Sequence, residues 1–272
     1  MTEPTARDAR YRAAARVAVG AIFLLRTTGL GGLTGTALDF GASPLLGWPD
    51  GRFHASVHGL ALPDATVAVL AIVRTCAAVA FTFGAKARAA GVVAAVTGYA
   101  VLAQDVLSVS TSIHVLFVAV AALALTDATS VWAVVPDPPR GSGERPFTLV
   151  VASIYLWSAA AKLQSEWLSG HALASFLDAS AFHGPAAVLL AGAGARLVCA
   201  WVVVGLEIAI GVLLAISPRT RRVGVALGLA FHACAEVTVR PDVLGWTMAS
   251  LLVACWSTRA CLAAGRPCRP RS

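Results

Sequence analysis

Charge is what this sequence has least of. Asp, Glu, Lys and Arg make up 13% of its 272 residues, while 58% are hydrophobic. With a mean hydropathy of +0.76, that balance excludes a soluble globular domain, a disordered chain and a coiled coil, each of which needs far more polar surface. The six cysteines form no C-x-x-C pair. Cys76, Cys199, Cys234 and Cys255 sit inside apolar runs, and Cys261 and Cys268 in a basic tail, so small apolar fillers are expected and not a disulfide framework. No small-residue cleavage site follows the first apolar stretch, which contains Arg26, so a removable leader is not expected. No nucleic-acid-binding motif accompanies the net charge of +7, so nucleic acid is not an expected partner. Internal repeats and the paired broken helices of transporters are missing as well.

What the chain does have is apolar runs of membrane length. A bilayer crossing takes about 20 residues. Such runs fall at about 13–31, 63–85, 89–109, 112–127, 147–163, 197–217, 222–239 and 241–257. The expected fold is all-α: a polytopic membrane helix bundle of about eight spans, one domain over 1–272, with 258–272 as a short basic cytoplasmic tail. The run 184–195 is too short to span and is expected to be re-entrant or interfacial. With the N-terminus inside, fifteen Lys and Arg fall on inner segments and only Arg52 and Arg240 on outer ones. That asymmetry puts both termini in the cytoplasm of a multi-pass cell-membrane protein. Two long outer loops follow, 32–62 and 164–196. The inner loop 128–146, with Pro136, Pro138, Pro139 and Gly141, is expected to be a flexible linker.

Ionisable residues within the runs collect at one depth. His114 opens the fourth run at its outer end, Asp105 closes the third beside Gln104, and Lys162 closes the fifth. His232 and Glu236, at i and i+4 in the outer half of the seventh, share a helix face. His54, His58, His171 and His183 fall in outer loops. Ionisable groups are expensive in a membrane, so they face the bundle interior and act there. Lys162 stands out because the chain holds 2 Lys against 19 Arg. Where only positive charge is needed, this sequence uses Arg. A desolvated amine can lose its proton and a guanidinium cannot, which makes Lys162 a candidate base or imine-forming amine. Plainer readings stand beside this one. Lys162 snorkels to the headgroups, His114 and His232 are satisfied structural histidines, and Trp157 and Trp167 are interface anchors. Arg26 and Arg74 then pair with a carboxylate such as Glu207 to hold helices together. Two ligands, His232 and Glu236, do not make a metal site, and no metal is expected.

The segment Ile154–Gly170, IYLWSAAAKLQSEWLSG, resembles the signature of the vitamin K-dependent γ-glutamyl carboxylases. In that family an I/V-Y-F run and a small residue precede K-L, an acidic or polar pair, W and G. The stretch from His114 through Asp127 to Trp132 is similar to a second block of the family, and Phe231-His232 to a third. The bacterial relatives are the HTTM (horizontally transferred transmembrane) proteins, which share the bundle. The resemblance implies that Lys162 is the base that deprotonates a reduced quinone of the vitamin K or menaquinol type. In the carboxylases O2 then yields a strong alkoxide base and an epoxide. That base removes a γ-proton from peptidyl Glu, and CO2 adds. His114 is implied as an aid at the reacting centre and His232 as a neighbour in the same pocket. Tyr155, Trp157, Trp167, Asp105 and Glu236 are its expected lining. Three departures are visible: Ile113 replaces the family's Asn, Ala161 replaces a second Lys, and only 258–272 follow the last span where the carboxylases carry a lumenal domain.

The expected function is therefore a membrane enzyme, of lyase or oxidoreductase type. It uses reduced quinone, O2 and, where carboxylation is retained, CO2 to modify a peptide or protein substrate on the outer face. A non-catalytic membrane partner in peptide or protein maturation is the first alternative. A transporter with Lys162, Asp105 and Glu236 as a relay is the second, opposed by a lack of polar groups in the inner half.

Overall fold

The computed structural model describes residues 3–27, 62–103, 111–138, 144–178, 184–239 and 243–256. Among the described residues ten α-helices form: α1 (Glu3–Thr27), α2 (Asp64–Phe83), α3 (Ala87–Leu102), α4 (Thr111–Ala124), α5 (Glu144–Ala161), α6 (Ser165–Leu168), α7 (His171–Asp178), α8 (Ala193–Ile216), α9 (Pro218–Thr238) and α10 (Leu244–Cys255). Among the described residues no strand forms; a single parallel bridge joins Ala85 and Val135. Each of the eight apolar runs overlaps one helix. By length and composition, Ala65–Phe83 and Ala193–Ile216 are apolar and long enough to cross a membrane, while Ala87–Leu102, Ser112–Ala124 and Leu244–Cys255 are shorter apolar helices.

The helix ends follow local chemistry. Gly84 stops α2 in the left-handed region (φ 79°), and its N–H donates to the Phe81 carbonyl at 3.2 Å. A Cβ there would lie 2.5 Å from the Cα of Ala133. Gly84→Ala is therefore expected to lose about 1–3 kcal/mol from the backbone conformation alone, read as a lowered thermal midpoint in detergent. An unchanged midpoint would mean that the α2–α3 junction bears no strain. At the other hairpin, Ser217 and Thr220 cap α9 reciprocally. The Thr220 N–H donates to Ser217 Oγ at 3.2 Å, the Ser217 N–H donates to Thr220 Oγ1 at 3.1 Å, and Pro218 opens the first turn.

In the packing, α1 lies against α2, α4 and α10, while α8 lies against α5 and α9, and α10 also touches α9, α4 and α5. The core runs through Phe23, Phe81, Leu116, Phe117, Val151, Ile210 and Leu251. Polarity is distributed inside out. Arg12, Arg16, Arg26, Arg74, Glu207 and Arg221 are buried, while Val69, Ile72, Val96, Val198 and Val202 face outward and are at least half exposed. In water the aliphatic surface would be a liability. In a bilayer it meets lipid, and the charges inside must find protein partners.

One loop expectation changes. Residues 128–138 are not a flexible linker. Thr126 caps a buried 3-10 turn, Asp127–Thr129. The N–H groups of Val134 and Val135 donate to the carbonyls of Phe83 and Gly84, both at 3.1 Å. Asp137 accepts from the Arg88 N–H at 2.9 Å. Nonlocal backbone partners hold what its proline content made look loose; the rest of that loop, up to α5, lies outside the described residues save for its last positions. The segment after 184 docks on the end of α9, with Gly184 N–H donating to Thr238 O (2.9 Å) and Ala186 N–H to Val237 O (2.7 Å).

Candidate functional site

On α5 the residues Tyr155, Ser158 and Lys162 stand at i, i+3 and i+7 and share one face. Lys162 begins the turn that ends α5, its N–H donating to the Ala159 carbonyl at 3.0 Å. Its ammonium bridges to α8: Nζ lies 2.9 and 3.0 Å from the two carboxylate oxygens of Glu207. Ser158 closes the group. Its hydroxyl donates to Glu207 Oε1 at 2.8 Å and receives a hydrogen bond from Lys162 Nζ. The Lys162 side chain is 19% exposed and that of Glu207 7%. Trp167, on α6, covers the amine with its ring centroid 5.1 Å from Nζ, a cation–π distance. Its own Nε1 is anchored on the Ala200 carbonyl at 3.3 Å.

Two turns down the same face, the Tyr155 hydroxyl lies 2.8 Å from His232 Nε2 of α9. Both side chains are buried, and Phe231 packs edge-on against the imidazole with ring centroids 5.1 Å apart. Among the described residues the other ring nitrogen, Nδ1, is buried without a hydrogen-bond partner. Such orphans are rare in folded interiors and call for a partner. Gly228, one turn before His232, keeps the space beside Tyr155 open: a Cβ there would lie 3.3 Å from the hydroxyl. Glu236 reaches across to the start of α10 at Gly245.

The expected site residues thus divide. Lys162 and Trp167 meet each other, and Tyr155 meets His232. His114 packs edge-on against Tyr99 of α3, with centroids 5.7 Å apart. Trp157 is 76% exposed on the outward side of α5. Asp105, with His54, His58 and His183, lies outside the described residues. The arginines do not take Glu207 as partner in the way expected. Arg74 donates to the Thr27 carbonyl at 2.9 Å, and Glu207 belongs to Lys162 because α5 and α8 pack side by side. Sequence reasoning passed over Ser158. Its signal was the spacing of four from Lys162, which puts a hydroxyl one turn below an amine.

The HTTM domain model matches residues 6–258. The chain belongs to the HTTM family. As an HTTM protein it is a membrane protein related to the vitamin K-dependent carboxylases. No curated protein and no solved structure matches it. The matched span of this HTTM protein contains both side-chain groups, Lys162–Ser158–Glu207 and Tyr155–His232.

Proposed function

We propose that this HTTM protein is a multi-pass membrane enzyme with both termini cytoplasmic. It takes a reduced quinone and O2 to an oxygenated quinone, and couples that to modification of a substrate on the outer face. The observation that carries the reading is the amine of Lys162, held by a carboxylate and a hydroxyl inside an apolar bundle, on the same helix face as a Tyr–His pair. The residues present fit a phenolic head group. His232 Nδ1 is a buried polar atom without a partner among the described residues, and an imidazole nitrogen can donate to or accept from a phenol oxygen. Reduced quinone, when bound, supplies the electrons that O2 takes up.

The chain's own residues have definite tasks in this proposal. Lys162 and Glu207 hold one exchangeable proton between them. When it rests on the Glu207 carboxylate, the Lys162 amine is neutral and accepts a proton at Nζ. Ser158 keeps the pair in register during that exchange. His232, oriented by Tyr155, fixes the head group. Trp167 covers the amine and excludes water, which protects a reactive oxygen species. An arginine at 162 keeps the charge and cannot act as base. Lys162→Ala and Lys162→Arg are both expected to abolish quinone-dependent O2 uptake and quinone epoxide formation in purified membranes, with the folded yield of the Arg variant retained. Parental activity in the Arg variant would reduce Lys162 to a charge.

One observation favours a second reading. Lys162 finds Glu207, Ser158 and Trp167 within its own fold, as a structural clamp between α5 and α8 would. A non-catalytic role in maturing an exported peptide or protein then predicts a complex that survives the Lys162→Arg exchange, with no chemical change in the partner.

A further inference from the structure

The aliphatic outside of α2 does not stop where the helix stops. Val69, Ile72, Val79 and Phe83 stand at i, i+3, i+10 and i+14, and all four are exposed. At about 100° per residue they fall within roughly 40° of one line along the helix, which ends on Phe83. The stretch 131–138 carries the same surface further. The N–H of Val134 donates to the Phe83 carbonyl and that of Val135 to the Gly84 carbonyl, both at 3.1 Å. Trp132, Val134 and Val135 are large, apolar and exposed, Val134 the most at 73%. From the protein side, Arg16 donates to the Trp132 carbonyl. Two cations flank this apolar ledge. Lys86 is bound to it by its backbone, the N–H donating to the Val135 carbonyl at 3.4 Å, and its side chain is exposed. The Arg88 N–H donates to the Asp137 carboxylate at 2.9 Å, and its Nη2 to the Pro138 carbonyl at 3.3 Å. Lys86 (φ 47°) and Trp132 (φ 50°) both lie in the left-handed region, uncommon for a residue with a Cβ and an outlier for a bulky one. Backbone of this kind persists only where its surroundings over-determine it, and it gathers at binding sites.

We propose that this ledge is a collar for anionic phospholipid. Phe83, Trp132, Val134 and Val135 enter the leaflet, and Lys86 and Arg88 bind the lipid phosphates at its surface. Two observations make the bilayer the occupant. The ledge is continuous, across Phe83, with the aliphatic stripe that meets lipid along α2. It also ends in a tryptophan beside two cations, the composition of a membrane–water boundary. An anionic leaflet attracts cations placed at that level. Lys86 is the second of the chain's 2 Lys. The Lys162 amine is enclosed by its partners, whereas the Lys86 ammonium is exposed on a helix–helix turn, a mobile point charge suited to a phosphate. The collar holds 131–138 from the lipid side as Arg16 holds it from within. It does not depend on the quinone reading, and the Lys162 variants leave it intact.

The test is quenching of Trp132 emission in phosphatidylcholine vesicles containing the full chain. The Trp132 share is the difference between the parent and Trp132→Phe. Phosphatidylglycerol with a nitroxide near the headgroup end of its acyl chain is expected to quench that share more than the same lipid labelled near the chain's far end. It is also expected to quench more than phosphatidylcholine labelled at the same place. Lys86→Gln combined with Arg88→Gln is expected to lower the preference for phosphatidylglycerol by about fivefold for each charge removed, with the depth unchanged. Thermal melting shows which variants are folded. Lys86→Gln alone replaces the double variant if that one unfolds, and Val134→Trp, an added reporter on the same ledge, replaces Trp132→Phe. Equal quenching by the two labelled lipids overturns the proposal. So does quenching by iodide in the water and by neither lipid, which leaves the ledge to a soluble partner. Protection from all three probes overturns it too, and leaves the ledge to a second copy of the chain.

Discussion

Glu207→Gln is expected to destabilise the bundle by about 3–5 kcal/mol, the usual result of removing one partner from a buried ion pair. The neutral amide still reaches Ser158, yet it leaves the ammonium of Lys162 without a counter-charge in a place where its side chain is only 19% exposed. Trp167 offers a ring face and no negative charge. The double replacement Lys162→Met with Glu207→Leu is expected to recover most of the loss, because an apolar pair of similar volume avoids both desolvation terms. Thermal midpoints of the parent, the single variants Lys162→Met and Glu207→Leu, and the double variant form a cycle. A coupling energy of about 0.5–3 kcal/mol marks two side chains that act together. If Glu207→Gln melts with the parent, the pair is a solvated surface contact and the closed Lys–Ser–Glu group loses its standing as the core of a site. If the double variant is stable and inactive toward quinone, stability and chemistry separate: the pair is then retained for what it does and not for what it holds.

Hydropathy placed each of the eight apolar runs over one helix, though α1 begins ten residues before its run, because such runs are set by local composition. Lys162 was legible for a similar reason, since a rare residue type in an apolar context stands out against nineteen arginines. The neighbours of these residues were not legible. Glu207 lies mid-run in α8, forty-five residues from Lys162, and only the packing of α5 on α8 decides that it meets the lysine and not Arg26 or Arg74. The Tyr155–His232 bond crosses 77 residues and likewise depends on how α9 sits. The clearest miss is in the loop 128–146, whose proline and glycine content suggested looseness, although 128–138 is held in place. What orders that segment is a side chain far upstream in α1 and the exposed backbone end of α2, and no window of sequence contains both.

That side chain is Arg16, and its loss is the second large effect expected. Fully buried, it donates through Nη1 to the carbonyls of Phe81 (2.7 Å) and Thr82 (3.2 Å), and through Nη2 to Val131 (3.5 Å) and Trp132. The last carbonyls of a helix have no partner within it, and the C-terminal end of α2 carries partial negative charge that a cation offsets. One guanidinium, with its forked donors, thus caps α2 and fastens the 131–132 stretch. Arg16→Met keeps much of the apolar stem and removes every guanidinium donor; the Phe81 carbonyl keeps the Gly84 N–H, and each buried carbonyl left unsatisfied costs about 1–3 kcal/mol. Against a total stability of about 5–15 kcal/mol, the variant is expected to yield little folded protein in detergent. Arg16→Lys keeps the charge but has one nitrogen for two sets of carbonyls, so an intermediate midpoint is expected. Gly84 touches the same group, since a Cβ there would lie 2.6 Å from Arg16 Nη1. The losses from Gly84→Ala and Arg16→Lys should then be non-additive when combined. Additive losses, or an Arg16→Met variant that melts with the parent, would show that water or lipid headgroups satisfy the end of α2 and that the clamp is dispensable.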